Sequence, residues 1–116
     1  MKLITAIIRP ERLEAVQREL QGVLDEGDHY RLSVETVEGH GRQEGEVEIY
    51  RGQRFRANLV EKLQLTIGVN DAYVEPAVNA ILRGARTGQV GDGKIFVTPL
   101  DDCIRIRTGE RGSGAI

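Results

Sequence analysis

Apolar and polar residues alternate most cleanly over residues 59–69, where Leu59, Leu63, Leu65, Ile67 and Val69 are interleaved with Lys62, Gln64, Thr66 and Gly68. A period of two puts the two sets on opposite faces of one central strand. The isoleucine-rich opening Lys2–Arg9 ends at Pro10, which cannot continue a central strand but suits the first turn of a helix. From Glu11 onward Leu13, Val16, Leu20, Val23 and Leu24 fall at helical spacing, with Gly27 as the expected stop. Tyr30, Leu32 and Val34 then alternate with Arg31, Ser33 and Glu35, a half-buried strand running toward Val37. Further on, Asn70-Asp71 can cap a helix with the apolar stripe Val74, Ala77, Val78, Ile81, Leu82 and Ala85, and Pro76 keeps its start nearby. The chain closes with a strand over Lys94–Thr98, a turn over Pro99–Asp102 and the run Ile104–Arg107. There the alternation predicts a last strand with isoleucines on one face and two guanidiniums on the other.

Read in order, the elements are strand, helix, strand, long loop, strand, helix, strand, which is a βαβ unit twice over. Right-handed crossovers place both helices on one face of an antiparallel sheet, so the expected fold is an α+β, ferredoxin-like double βαβ sandwich, one domain over residues 1–116. Gly39, Gly41, Gly45 and Gly52 punctuate a charged segment without periodicity, read as an exposed loop over about residues 39–57. Loops of that length in small domains either bind something or are plain or disordered connectors, so this one is a candidate interaction arm. The other sheet face, expected to carry Val60, Leu65 or Ile67 according to register, needs a cover that an oligomer would supply.

Composition narrows the function classes. With 40% hydrophobic and only 4% aromatic residues among 116, the core is aliphatic. Sixteen basic and eighteen acidic residues leave a net charge of −2, with no long-range attraction for nucleic acid or anionic lipid, so any anion site must be local. Cys103 is the only cysteine, which excludes an internal disulfide and a thiolate cluster and fits a reducing cytoplasm. The opening apolar run is too short for a signal peptide or a membrane span.

The candidate chemistry sits in Thr87–Phe96, TGQVGDGKIF. Gly88, Gly91 and Gly93 can take positive φ, Asp92-Gly93 is a turn pair, and Lys94 adds a compact positive charge. Successive backbone N–H groups in such turns form a concavity for anion oxygens. Arg105 and Arg107 offer a fork for phosphate or carboxylate. Asp-Gly alone is an ordinary turn and the arginines alone an ordinary solvated edge; together they point to a bound anion. His29 and His40 have no paired carboxylate or thiol, and no activated serine or cysteine is recognisable, so the chain does not read as an enzyme.

TGQVGDGKIFV at Thr87–Val97, with IRIRTG at Ile104–Gly109, resembles the C-terminal signature of the PII signal-transduction proteins, the trimeric nitrogen regulators. The likeness extends over nearly the whole chain, through MKLITAIIRPERLEAV, VEGHGRQEG and EIYRG. It implies ATP or ADP in a cleft between subunits of a homotrimer. Gly41, Arg42 and Gln43, then Thr87, Gly91, Asp92, Gly93 and Lys94, then Arg105 and Arg107 match the nucleotide positions, and Ile7, Ser33 and Val37 stand beside the base. Thr66 and Gly68 replace an acidic and a branched residue, which changes the base contacts. The resemblance further implies 2-oxoglutarate at the base of the long loop, completing the shell of a Mg²⁺ ion held by ATP phosphates and a glutamine. Gln43 matches that glutamine, and Lys62 matches the lysine that pairs with the distal carboxylate.

The implied function is a cytoplasmic regulator that reports nitrogen and carbon status and grips a partner through its long loop. The partner would be an ammonium transporter or a nitrogen-assimilation enzyme, with no nucleic acid bound and no insertion into the membrane. Thr66, Gly68 and the altered loop apex motivate an alternative: a divergent sensor of adenine nucleotide and another small anion, such as bicarbonate, that regulates carbon uptake. At the apex, Tyr50-Arg51-Gly52-Gln53-Arg54-Phe55 places Phe55 where many PII proteins carry a uridylylated tyrosine, and Gln53 where others carry a phosphorylated serine. No modification is expected there, and signalling would rest on ligand occupancy alone.

Overall fold

Leu59–Val69 (β5) is the strand around which the sheet is built, in a computed structural model that describes residues 1–24, 30–40, 47–50, 53–56 and 59–116. Lys2–Ile8 (β1) runs antiparallel along one side of it, from Lys2 opposite Val69 to Ile8 opposite Leu63. Ser33–His40 (β2) runs antiparallel along the other, from Ser33 opposite Thr66 to His40 opposite Leu59. Gly93–Pro99 (β6) pairs with the remaining side of β1, so the order is β2-β5-β1-β6. This is the order that two right-handed βαβ units interleave to give.

Pro10 opens a 3₁₀ turn over Pro10–Arg12, and Leu13–Val23 (α1) follows. A second turn over Asp71–Tyr73 leads into Val74–Ala85 (α2). Val16 and Leu20 of α1 and Ala77, Ala80 and Ile81 of α2 are buried with Ile4, Ala6, Ile8, Leu65, Ile67 and Val69 of the sheet. The helices touch at Gly84, where a Cβ would lie 2.6 Å from the Val16 Cα; only glycine admits that approach. Arg12 Nε donates to the Gly84 carbonyl at 2.8 Å and closes the same contact from the side. Among the described residues no helix is long and apolar enough to cross a membrane.

Several expectations are corrected. Leu65 and Ile67 do not line the free sheet face: both are buried beneath the helices, and the opposite face carries Lys62, Gln64, Thr66 and Gly68 beside Leu3, Thr5 and Ile7. Alternation fixes which residues share a face but not which face the helices cover. The segment read as one long loop contains regular structure, since β2 reaches His40 and Val47–Tyr50 (β3) pairs with Gln53–Arg56 (β4) as a separate hairpin. Asn70 makes no side-chain cap; its amide donates to the Ser113 carbonyl at 3.1 Å, and Asp71 takes the Met1 ammonium at 2.8 Å. Helix α1 ends at Val23, and Gly27 lies outside the described residues.

The run Ile104–Arg107 is not a strand. Ile104 forms an isolated bridge with Arg111, and the chain turns between them. Gly109 with φ 72° and Gly112 with φ 82° provide the left-handed positions the turn needs. The Arg105 N–H donates to the Glu110 carbonyl, the Gly109 N–H to the Arg105 carbonyl, and the Asp102 carboxylate accepts from the Gly112 N–H and Arg111.

Candidate functional site

Lys94 and the loop before it lie at the end of β6 where Gly93 faces Ile8 and Lys94 faces Ile7. Gly88, Gly91 and Gly93 all have positive φ, at 86°, 100° and 105°. At Gly93 the requirement is also steric, because a Cβ there would lie 1.7 Å from the Ile7 carbonyl oxygen. A side chain at this position and the β1–β6 pairing exclude one another.

Inside the loop Asp92 is the hub. Its Oδ2 accepts from the backbone N–H groups of Thr87 at 2.8 Å and Gly88 at 2.9 Å, and its Oδ1 accepts from the Thr87 hydroxyl and from Arg9 Nε at 3.1 Å. The Thr87 hydroxyl first, then these N–H groups and Arg9, hold the Asp92 carboxyl well below the usual carboxylate range. Arg9 Nη2 donates to the Val90 carbonyl at 2.9 Å, and Lys62 Nζ donates to the Gly91 carbonyl. Two cations thus grip the loop by its carbonyl oxygens. The Asp92 N–H closes a turn over Val90-Gly91 back to Gln89, while the N–H groups of Val90 and Gly91 have no hydrogen bond among the described residues, which leaves two consecutive donors for an anion.

Lys62 is only 7% exposed. Burial lowers its pKa, the Arg9 charge adds to that, and Glu11 and Asp92 act the other way. An ammonium that has a single carbonyl as partner among the described residues keeps unused donors, and an incoming carboxylate would satisfy them. Beside the loop, Ile7, Ile81, Ala85, Arg86 and Lys94 line a cleft of about 340 Å³.

The arginine turn lies at the other end of the strands. A groove of about 580 Å³ is lined by Leu3, Arg31, Gly68, Leu100, Arg105, Arg107 and Ile116, among others. Leu3 and Ile7 are four residues apart on β1, so the two clefts are separated by roughly 13 Å of strand. Arg105 is occupied, donating to Glu110 at 3.1 Å and to the Gly114 carbonyl at 3.3 Å. Arg107 is exposed and has no ion pair among the described residues, and Ile106 beside it is fully exposed. Gly68 leaves open floor, since a Cβ there would meet only Leu100 at 3.7 Å and Ile116 at 4.0 Å.

The expected site residues therefore fall into groups. Gly91, Asp92, Gly93, Lys94, Thr87, Ile7 and Lys62 are brought together at one end. Arg105 and Arg107 are brought together at the other. Ser33 and Val37 sit on β2, opposite Thr66 and Lys62, with β5 between them and Ile7, so one chain forms no single apolar slot from these three. Gly41, Arg42 and Gln43 lie outside the described residues, as does the Phe55 side chain. Arg9, Arg31 and Arg86 escaped sequence reasoning. Arg9 alone left a readable signal, a cation at the end of a strand just before the proline that starts a helix.

Comparison with known proteins identifies the family. Residues 1–110 match the family model described as nitrogen regulatory protein P-II. The chain is 52% identical over 118 aligned positions to nitrogen regulatory protein GlnK1 of Methanosarcina mazei, covering all of this chain and 97% of that one. It is 46% identical to nitrogen regulatory protein P-II 2 of Methanothermobacter thermautotrophicus, again over all of this chain and 97% of the relative. It is 43% identical to nitrogen regulatory protein P-II of Azospirillum brasilense, with both chains covered in full.

Proposed function

Because this chain belongs to the nitrogen regulatory protein P-II family and is a nitrogen signal-transduction regulator, we propose that it senses ATP or ADP together with 2-oxoglutarate at the interfaces of a homotrimer. The observation that supports this reading is the separation of two groups of residues suited to anions. The loop with the open N–H groups of Val90 and Gly91 and with Lys94 stands at one end of β6, and the groove with Arg105 and Arg107 at the other. Neither half encloses a nucleotide. Joined across two chains they would, with the loop wrapping phosphates from one side and Arg107 reaching them from the other. Lys62 would take the distal carboxylate of 2-oxoglutarate in exchange for the Gly91 carbonyl. Gln43 would join the phosphates around Mg²⁺, a hard cation that prefers such oxygen donors.

The partner, an ammonium transporter or a nitrogen-assimilation enzyme, would be gripped by the arm that carries β3 and β4. Control requires that ATP with 2-oxoglutarate and ADP stabilise different arrangements of that arm, since a ligand shifts only an equilibrium whose states it binds unequally. Calorimetry with ATP, ADP and AMP, each with and without 2-oxoglutarate or bicarbonate, tests the reading. Tighter ATP binding in the presence of 2-oxoglutarate is expected. A bicarbonate effect with no 2-oxoglutarate effect would transfer the role to carbon sensing.

A further inference from the structure

Thr87 and Asp92 stand in the signature as if they were ligand contacts, yet their polar atoms are turned on one another. The four donors to Asp92 fill the acceptor positions of a carboxylate, two on each oxygen. Three of them come from Thr87 and Gly88 and close the loop into a ring. The fourth comes from Arg9, which also holds the Val90 carbonyl and so fastens the ring to the end of β1. Arg9 lies against the carboxylate and neutralises its charge, so a negative side chain can sit inside an anion-binding loop without repelling the anion. The N–H groups that Asp92 takes are those of Thr87 and Gly88; those left over, at Val90 and Gly91, are consecutive.

We infer that the Asp92 carboxylate is a positioning group and makes no contact with the nucleotide: it holds residues 87–92 as a preformed ring so that the consecutive N–H groups of Val90 and Gly91 are presented to phosphate before it arrives. The inference rests on the reading of this loop as a phosphate site. Preorganisation of this kind strengthens binding by removing the ordering step that a loose loop would undergo on association. It also gives Arg9 a role, as the clamp that keeps the ring in register with Ile7 and Lys94.

The test compares Asp92→Asn and Thr87→Val with the parent protein by amide hydrogen exchange without ligand and by calorimetry with ATP. A carboxamide at this position would keep the shape but offer only one accepting oxygen, so exchange at Thr87 and Gly88 is expected to rise at least about tenfold. ATP affinity is expected to fall roughly ten- to hundredfold, the loss typical of a hydrogen bond to a charged group. The two substitutions should be non-additive, with Thr87→Val weakening ATP binding less in the Asp92→Asn background than in the parent. If affinity falls while exchange at Thr87 and Gly88 is unchanged, Asp92 touches the ligand and the inference is overturned. If exchange rises with affinity intact, preorganisation is irrelevant and it is equally overturned. Should Asp92→Asn fail to fold, Thr87→Val removes one donor and reads both quantities alone. A parent protein that binds no ATP, yet loses protection in Asp92→Asn, would sink the phosphate reading while keeping Asp92 as the staple.

Discussion

The two ends of the sheet differ in how far the chain satisfies its own charges. At the loop end the side chains that shape the loop are matched internally: Arg9 with Asp92 and the Val90 carbonyl, Lys62 with the Gly91 carbonyl, Thr87 with Asp92. What those matches hold open is backbone N–H at Val90 and Gly91, beside the Lys94 ammonium. At the arginine end Arg105 is matched but Arg107 and Ile106 project from the turn, and the groove beneath is floored by Leu3, Leu100 and the bare backbone of Gly68. On the proposed reading one end would receive an anion, and the other would reach into a neighbouring chain. Complementary halves on one protomer are what a closed ring of identical chains requires.

The comparison breaks hardest at Gly93. Replacing it with alanine should destabilise the fold by roughly 3 kcal/mol or more, because the new Cβ collides with the Ile7 carbonyl and φ is 105°. Calorimetric melting that leaves the midpoint unchanged would show the β1–β6 register to be wrong there. Arg107→Ala should weaken ATP binding about ten- to hundredfold with no change in melting. Arg105→Ala should do both, the extra folding loss being about 1 kcal/mol for its partly exposed tie to Glu110. Equal stability losses for the two arginines would erase the distinction drawn between a matched and a free cation.

Lys62 sharpens the comparison through pH. Its folded pKa lies below the ordinary 10.5, so between the two values the unfolded chain binds the proton that the folded chain gives up. Stability from this group therefore rises with pH through that window, and the charged lysine is a net strain on the fold below it. Lys62→Met should flatten the rise in a denaturant titration between neutral and alkaline pH; an identical slope in both proteins would contradict the burial argument. The smallest effect is expected at Gly68→Ala. Its Cβ makes ordinary contacts with Leu100 and Ile116, so stability should change by no more than about 0.5 kcal/mol in chemical denaturation. A larger loss would mean that the groove floor is already filled.

Much of this architecture was readable from periodicity. The stripes at Val16 and Leu20 and at Ala77 and Ile81, and the alternation through Leu65, Ile67 and Val69, are the core itself. Local pattern misled where one spacing had two structural outcomes. Ile104–Arg107 alternates like a strand, but Gly109 and Gly112 let the chain double back, and the Thr108-Gly109 pair was the available warning. Within the site, glycines and Lys94 were legible because they need no partner to be recognised. The ring around Asp92 was not, since a side chain bonding five residues upstream, and an arginine more than eighty residues away, leave no mark in spacing.

Strand β5 outruns β1. Its pairing with β1 stops at Leu63, whereas its pairing with β2 continues to Leu59, so a two-stranded ribbon projects past the body of the sheet and β3 and β4 follow from it. The longest dimension of the molecule is 59 Å against 27 and 20 Å for the others. In mechanical terms the ribbon is a lever, and its first residue beyond the support of β1 is Lys62, the same side chain that rests on the Gly91 carbonyl. The fulcrum and the loop are therefore joined by one hydrogen bond. On the proposed reading, a ligand that takes Lys62 from the Gly91 carbonyl would act at that fulcrum, where the ribbon leaves the support of β1.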